Sequence, residues 1–551
     1  MPVSAFADTW YVDDGNITVN ATDSGQTVSQ GETTTPDDAP VITQRDSSTP
    51  TTNTVTVKAE ENAEANVTIQ DVNIVISDPA GSIQNHSGDA AVTIDVADGA
   101  AANVTLNGVN IDTGNTGGVS KGPEGEPVLN SGEAAVQITG NGDVTLELDG
   151  DNTLLSGMNR AGVEKNTTDS SGNGNLTITD ESGTDGSLKA TGGFRGAGIG
   201  GGYTGTGSNI TITGSAEVTA TGGTGGAGIG GGYESGSNIT ISGSAKVIAQ
   251  GGEAGSGIGG GGGGSGSNIT ISDTAEVTAN GGTGGAGIGG GSLNTGSNIT
   301  ITGSAEVYAK GGETGAGIGG GRGSSGSSDI TVSGDAQVKA QGGAVLIGSN
   351  AYSGEGAAIG DGGKFSNSSP DNIAGEEKNP NTDGLTPNGT IEYYAPGANM
   401  ETDDPVKTVS GTYAPPQDEE KPDEEKPDQP SQSAEESAAD TVYSDPLYRV
   451  IDQNGEDIPH KAERKDGVLT VTVDADFASL TGKLGGIQTL KAQGIDTIVF
   501  VTKGVTSTFA LSDLLAQGST GDIYTLNHNG DTVSFTLGEA KTDINEILAQ
   551  P

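Results

Sequence analysis

Through the middle of this chain, apolar residues fall two apart in short groups separated by clusters of glycine and serine. One complete unit reads "GAGIGGGYESGSNITISGSAKVIAQGG" and spans residues 226–252. Its first group is Ala227 and Ile229, its second Ile239 and Ile241, and its third Ala245, Val247 and Ala249. A spacing of two puts the apolar side chains of each group on one side of a β-strand and the intervening residues on the other. Three such one-sided strands can close around a shared interior. The pattern predicts one coil of a right-handed parallel β-helix with three short strands per rung. The chain holds 97 glycines and no 3.6-residue period survives among them. A helix loses about 1 kcal/mol at each interior glycine relative to alanine, so helical repeats are excluded.

The unit recurs. "GAGIGGG" stands at 196–202, 226–232, 285–291 and 315–321, and "GSGIGGG" at 255–261. An Asn or Asp followed by apolar-Thr-apolar starts at 66, 103, 143, 175, 209, 238, 268, 298 and 329, so the spacing converges on about 30 residues. "NITV" at 16 and "NTVTV" at 53 are degenerate earlier members. Equivalent residues of successive rungs should stack about 4.8 Å apart. Ile199, Ile229, Ile258, Ile288 and Ile318 then form an internal ladder. Asn209, Asn238, Asn268, Asn298 and Asp329 form another just after a Gly-Ser turn, where asparagine can bond its own turn and the next rung. The asparagines fit the N-x-S/T glycosylation pattern, but a structural repeat accounts for them more simply. Threonines 211, 240, 270, 300 and 331 make an outward ladder. Burial within one rung cannot offset the entropy of ordering about 30 residues, so rungs should fold only as a stack.

The pattern sets domain boundaries. Residues 8–395 read as the β-helix, most regular over 192–342, with worn copies "GAVLIGS" at 343–349 and "GAAIGDG" at 356–362 and a last strand "TIEYYA" at 390–395. Residues 396–441 are an acidic, proline-rich linker containing "DEEKP" twice. Residues 442–551 differ in composition and read as a small α+β domain. Hairpins are expected to turn at Asn454-Gly455 and Asn529-Gly530, with a helix over "FASLTGKLGGIQTLKAQG" and a buried strand at "DTIVFVTKG". Residues 1–7 end in Ala5-Phe6-Ala7, the small-x-small end of a secretory signal, and are read as the remnant of one.

Composition narrows the function classes. A formal net charge of -49 disfavours nucleic acid, keeps the chain soluble and attracts divalent cations, so calcium is a possible ligand with no other cofactor indicated. No apolar run reaches membrane-spanning length, and the chain has no cysteine, so neither disulfides nor thiolate metal sites exist. Stability must come from stacking. His86, His460 and His528 are far apart in sequence and read as turn or surface residues. Glu217, Lys246, Glu276, Glu306 and Gln337 share one outward position, and the adjacent like charges of Glu276 and Glu306 are the metal candidates. No general acid–base pair stands outside the repetition, so catalysis is not expected. Tyr203, Tyr233 and Tyr308 are candidate sugar contacts, with mutual stacking as the plainer reading. The outward glycines, such as Gly228 and Gly230, imply a bare ribbon about 24 Å tall and 13 Å wide. That ribbon is either a flat binding face or a geometric requirement of tight corners.

The pattern GAGIGGG…GSNIT…AxVxAxGG resembles the glycine-rich repeats of secreted surface proteins from clostridia-like bacteria. It is also similar to the clostridial carbohydrate-binding β-helix family over residues 53–395. The resemblance implies a β-helix that binds acidic plant polysaccharides and calcium, although no residues here match that family's calcium sites. The function it points to is a secreted, non-catalytic, polysaccharide-binding or adhesive protein at the bacterial surface, monomeric, with a polysaccharide or host-surface glycan as partner. The alternatives are a structural spacer or protein-binding adhesin, and a lyase or hydrolase of acidic glycans.

Overall fold

The computed structural model describes residues 8–122, 126–167, 173–181, 185–325, 327–344, 352–366, 374–411 and most of 448–541. The signal-like residues 1–7, most of "GAVLIGS", residues 412–441 of the linker and the Asn454-Gly455 turn lie outside them. The chain divides into two compact units, Met1–Asp418 and Glu419–Pro551.

The first unit is a parallel β-helix. In the repeat beginning at Gly226 its strands are Ile229–Gly230, Gly236–Ile241 and Lys246–Gln250. Each pairs in parallel with its equivalent one rung on, through Ile229↔Ile258, Ile239↔Ile269 and Val247↔Val277. Three parallel sheets therefore run along the body, which we name the Ile-Gly, Asn and Val-Ala sheets. Strand Asp143–Leu155 passes through the corner between the latter two, pairing with Leu176–Thr179 by its first half and Gly186–Thr191 by its second.

The core is a set of columns parallel to the axis. The isoleucine column runs beyond the five residues read from sequence. It begins Ile17, Val55, Val92, Val136, Val163, continues through Ile199, Ile229, Ile258, Ile288 and Ile318, and ends at Ile359. All are buried. Each rung adds apolar area that only the next rung can cover, which makes the stack cooperative.

The glycines answer to the same stacking. The expected bare binding ribbon at Gly228 and Gly230 is overturned, because residues 226–232 are all buried. A Cβ on Gly228 would come within 2.6 Å of the Gly257 carbonyl oxygen, and one on Gly230 would run into that of Gly259. Gly230 also has φ +126°, where L side chains are strained. The missing side chains would have pointed along the axis into the neighbouring rung, not outward from the sheet.

Asparagine plays a backbone part as well. Asn209, Asn238, Asn268 and Asn298 have φ of 56°, 52°, 52° and 50°, and the pairing register steps over them, from Ser237 to Ile239 in one rung. Asparagine tolerates this left-handed kink better than other residues with a side chain. The amides then bond rung to rung: Asn238 Nδ2 donates to Asn209 Oδ1 at 3.0 Å, Asn268 to Asn238 at 2.9 Å and Asn298 to Asn268 at 2.6 Å. Asp329 keeps the kink, with φ 56°, but lacks an amide donor and instead accepts from Ser328 Oγ.

Both ends carry antiparallel strands. Ile17–Thr22, Gly25–Gln30 and Thr33–Pro36 form a meander at the start of the Ile-Gly sheet. At the other end Thr390–Tyr394 pairs in parallel with Gln337–Gln341, and Lys407–Ser410 pairs antiparallel with it. Residues 407–410, assigned from sequence to the linker, thus belong to the last layer. Such strands occupy edges that would otherwise be open to another chain.

Among its described residues the second unit has a five-stranded and a four-stranded sheet with two short helices, Leu484–Ala492 and Leu511–Leu515. Ile523–Asn529 and Thr532–Leu537 form the expected hairpin, but Asn529 is itself paired with Thr532 and the two residues between them, Gly530 included, lie outside the described ones. The helix expected from 477 starts later, because Phe477–Lys483 is a strand paired with Ile523–Asn529. Its alternating Ala478 and Leu480 are buried, while Leu484, Ile487 and Leu490 supply the buried face of the helix. Neither histidine of this unit is a surface residue: both His460 and His528 are buried. His528 lies between the hydroxyls of Thr502 at 3.0 Å and Ser507 at 2.8 Å, beside the Phe500 ring. Burial pushes its pKa down to about 4.

Two outcomes are expected. Gly230→Ala should destabilise the β-helix by about 3 kcal/mol or more, against at most about 1 kcal/mol for Thr240→Ala on the outward ladder, read by denaturant unfolding. An unfolded chain protonates His528 near the ordinary 6.5, whereas the folded one resists until about 4. Its neutral form therefore contributes stability above pH 6.5 that is lost as the pH falls toward 4. Calorimetry of the full chain should show the second unit's transition falling over that window, with a flatter profile in His528→Gln.

Candidate functional site

The outward side of the Val-Ala sheet has room to vary, and its columns are read directly from the register. One column runs Glu217, Lys246, Glu276, Glu306, Gln337; the next Thr219, Ile248, Thr278, Tyr308, Lys339; the third Thr221, Gln250, Asn280, Lys310, Gln341. The second and third columns floor a groove of about 520 Å³, lined by Thr278, Asn280, Tyr308, Lys310 and Gln341 and overhung by residues 397–401. It adjoins a recess of about 370 Å³ that shares Asn280, Lys310 and Gly397 and adds Gln250 and Glu313.

The overhang is fastened from below. Buried Gln341 donates from Nε2 to the carbonyl oxygens of Ala395 and Ala398, both at 2.7 Å, and Lys339 Nζ reaches that of Met400 at 3.4 Å. Lys339 also lies 5.1 Å from the Tyr308 ring centroid and 4.0 Å from Glu392. A cation near the ring and a carboxylate near the cation help to set the Tyr308 side chain. The resulting surface combines the Tyr308 ring, several amides, Lys310 and, from the overhang, Glu401. Amides and lysine bond hydroxyl groups, and an aromatic face packs against C–H surfaces.

The other candidates take different positions. Tyr203 and Tyr233 meet edge to face, 6.2 Å between centroids at 64°. Arg195 lies 4.5 Å from the Tyr203 ring centroid, 5.4 Å from that of Tyr233 and 5.0 Å from that of Phe194. This cluster is distinct from Tyr308. The dipeptide Phe194-Arg195, which precedes only the first GAGIGGG, was its overlooked sequence signal. Glu276 and Glu306 are opposite in register and exposed, while Lys246 approaches Glu217 at 3.6 Å. Acidic side chains gather instead in a recess of about 410 Å³, where Asp151, Asp180, Asp185 and Glu217 surround Lys246.

Residues 184–203, 210–233, 269–292 and 299–322 match a family model described as Beta helix repeat. This is a parallel β-helix repeat protein. The matched segments of the β-helix run from the Asn or Val-Ala strands through the glycine corners, and two of them end on Tyr203 and Tyr233. Comparison with curated proteins and with solved structures gives no match. Among the described residues, no helix of the β-helix repeat protein is long and apolar enough to cross a membrane.

Gln341→Ala should free the overhang while the core beneath stays packed. Hydrogen exchange is expected to accelerate at residues 395–400, with the stability of the β-helix in denaturant unfolding lowered by at most about 2 kcal/mol.

Proposed function

We propose that this β-helix is a secreted, non-catalytic polysaccharide-binding protein of a bacterial surface, acting as a monomer through the groove at Tyr308. The supporting observation is the groove itself: Tyr308, Asn280, Gln250 and Lys310 lie along consecutive rungs beneath a fastened overhang. Rungs about 4.8 Å apart set out a regular row of contacts, as an extended polymer of repeating units requires. Its carboxylates, Glu313 and Glu401, sit in different segments, one in the recess and one in the overhang, which suits binding better than bond cleavage. The resemblance of the repeats to clostridial carbohydrate-binding β-helices supports the same reading, and the acidic charge agrees with an exported, soluble surface protein. A spacer or protein-binding adhesin remains the alternative for a stack this regular.

Pull-down of the full chain with pectin, xylan and mucin glycans tests the proposal. Retention on at least one is expected. Tyr308→Ala should weaken it about two- to tenfold, and Tyr308→Phe should largely preserve it. No retention on any of them favours the spacer. Release of reducing ends or unsaturated products overturns the non-catalytic reading.

A further inference from the structure

A second constellation lies several rungs toward the N-terminus, in the segment joining Asn73–Ser77 to Ala90–Val96. His86 was expected as a turn or surface residue; it opens a turn, but its side chain is only 15% exposed and sits among three carboxylates. Asp78 meets its Nε2 at 2.6 Å and also accepts backbone hydrogen bonds from Gln84 at 3.0 Å and Gly117 at 3.1 Å. The His86 backbone is tied in turn, donating to Ser131 O at 2.8 Å and accepting from Asp89 N at 3.0 Å. With ring and backbone both fixed, Nδ1 faces Glu133 Oε1 at 3.0 Å and Asp89 Oδ2 at 3.6 Å.

Three ligand atoms, one each from His86, Asp89 and Glu133, lie within 4.8 Å of one another. Charge is out of balance in this space. Asp78, Asp89 and Glu133 face a single imidazole, and the one nearby guanidinium, Arg160, which eases the charge on Glu133, is shared with buried Glu164 at 3.1 Å. A divalent cation between the three ligands would remove that excess. We propose that His86 Nδ1, Asp89 and Glu133 form a metal site of the zinc class, with Asp78 as the positioning residue that orients the imidazole. One imidazole with two carboxylates suits a borderline transition ion, whereas calcium and magnesium prefer all-oxygen shells. A carboxylate on the far nitrogen is the usual partner of a metal-bound imidazole. The bound ion would clip the 78–89 segment to the rung that carries Glu133, a cross-link in a chain without cysteine.

The test is titration of the full chain with Co2+ alone, after chelator treatment and in excess Ca2+ to occupy exposed carboxylates. The expected result is one tight site per chain with a visible d–d band stronger than that of aqueous Co2+, and a raised unfolding temperature with Co2+ or Zn2+. Glu133→Gln should abolish the band. Asp89 is 63% exposed, so Asp89→Asn leaves the fold in place and should weaken binding at least about tenfold. Glu217→Gln, on the acidic recess, should titrate like the parent. A spectrum that stays aqueous, or Asp89→Asn and Glu133→Gln titrating like the parent, overturns the proposal.

Discussion

The close approach of successive rungs at the glycine corners governs the first unit. A parallel ladder holds its partners about 4.8 Å apart wherever strands pair. At the corner after each isoleucine the backbone turns so that Cβ would point along the axis, into the carbonyl of the next rung. Glycine is required there by space and, at Gly230, by its positive φ. The repeated motif is therefore a specification of rung spacing. Because each rung's glycines answer to the rung above, the requirement propagates through the stack, and the isoleucine column can remain continuous from Ile17 to Ile359.

A constraint this strict leaves few places for variation, and these are where recognition can develop. Inward columns are nearly invariant: Ala220, Ala249, Ala279, Ala309 and Ala340 follow one another without exception. The outward column beside them passes through Thr219, Ile248, Thr278, Tyr308 and Lys339. An outward side chain can change without disturbing the spacing, so a groove can be written on the sheet face one rung at a time. The overhang at 397–401 adds a wall that the repeat alone does not supply, and Gln341 and Lys339 fasten it from the same sheet.

Much of this was legible in the residues, for a physical reason. Period-two alternation reports which side of a strand faces the core, and a period near 30 reports the rung, so the isoleucine and threonine ladders followed directly. Direction was harder to read. Alternation placed Gly228 and Gly230 on an outer face, but it carries no information about a backbone whose φ is positive, and the face proved to be packed. The bond from Asn238 to its neighbouring rung followed from the repeat, but the left-handed φ that aims the amide leaves no mark in a period-two pattern. Contacts distant in the chain left no periodic trace. The overhang above Tyr308 and the carboxylates around His86 depend on chain segments that carry no repeat.

Charge links the groove to the rest of the molecule. With a net charge of -49, the chain repels an acidic polymer at long range. Salt limits that repulsion to about 8–10 Å at physiological ionic strength, so contact energies are set by the nearest groups. In the groove and the recess beside it those groups are amides, a tyrosine and Lys310, with the carboxylates Glu401 and Glu313, whereas four acidic side chains collect around Lys246 in a separate recess. The sheet sets its acidic column of Glu217, Glu276 and Glu306 beside the columns that floor the groove, using the same register that keeps its core columns intact. The groove floor offers amides, a ring face and a lysine, with its carboxylates on the overhang and in the adjoining recess, so close-range contacts there are set by hydrogen-bonding groups despite the sign of the overall charge.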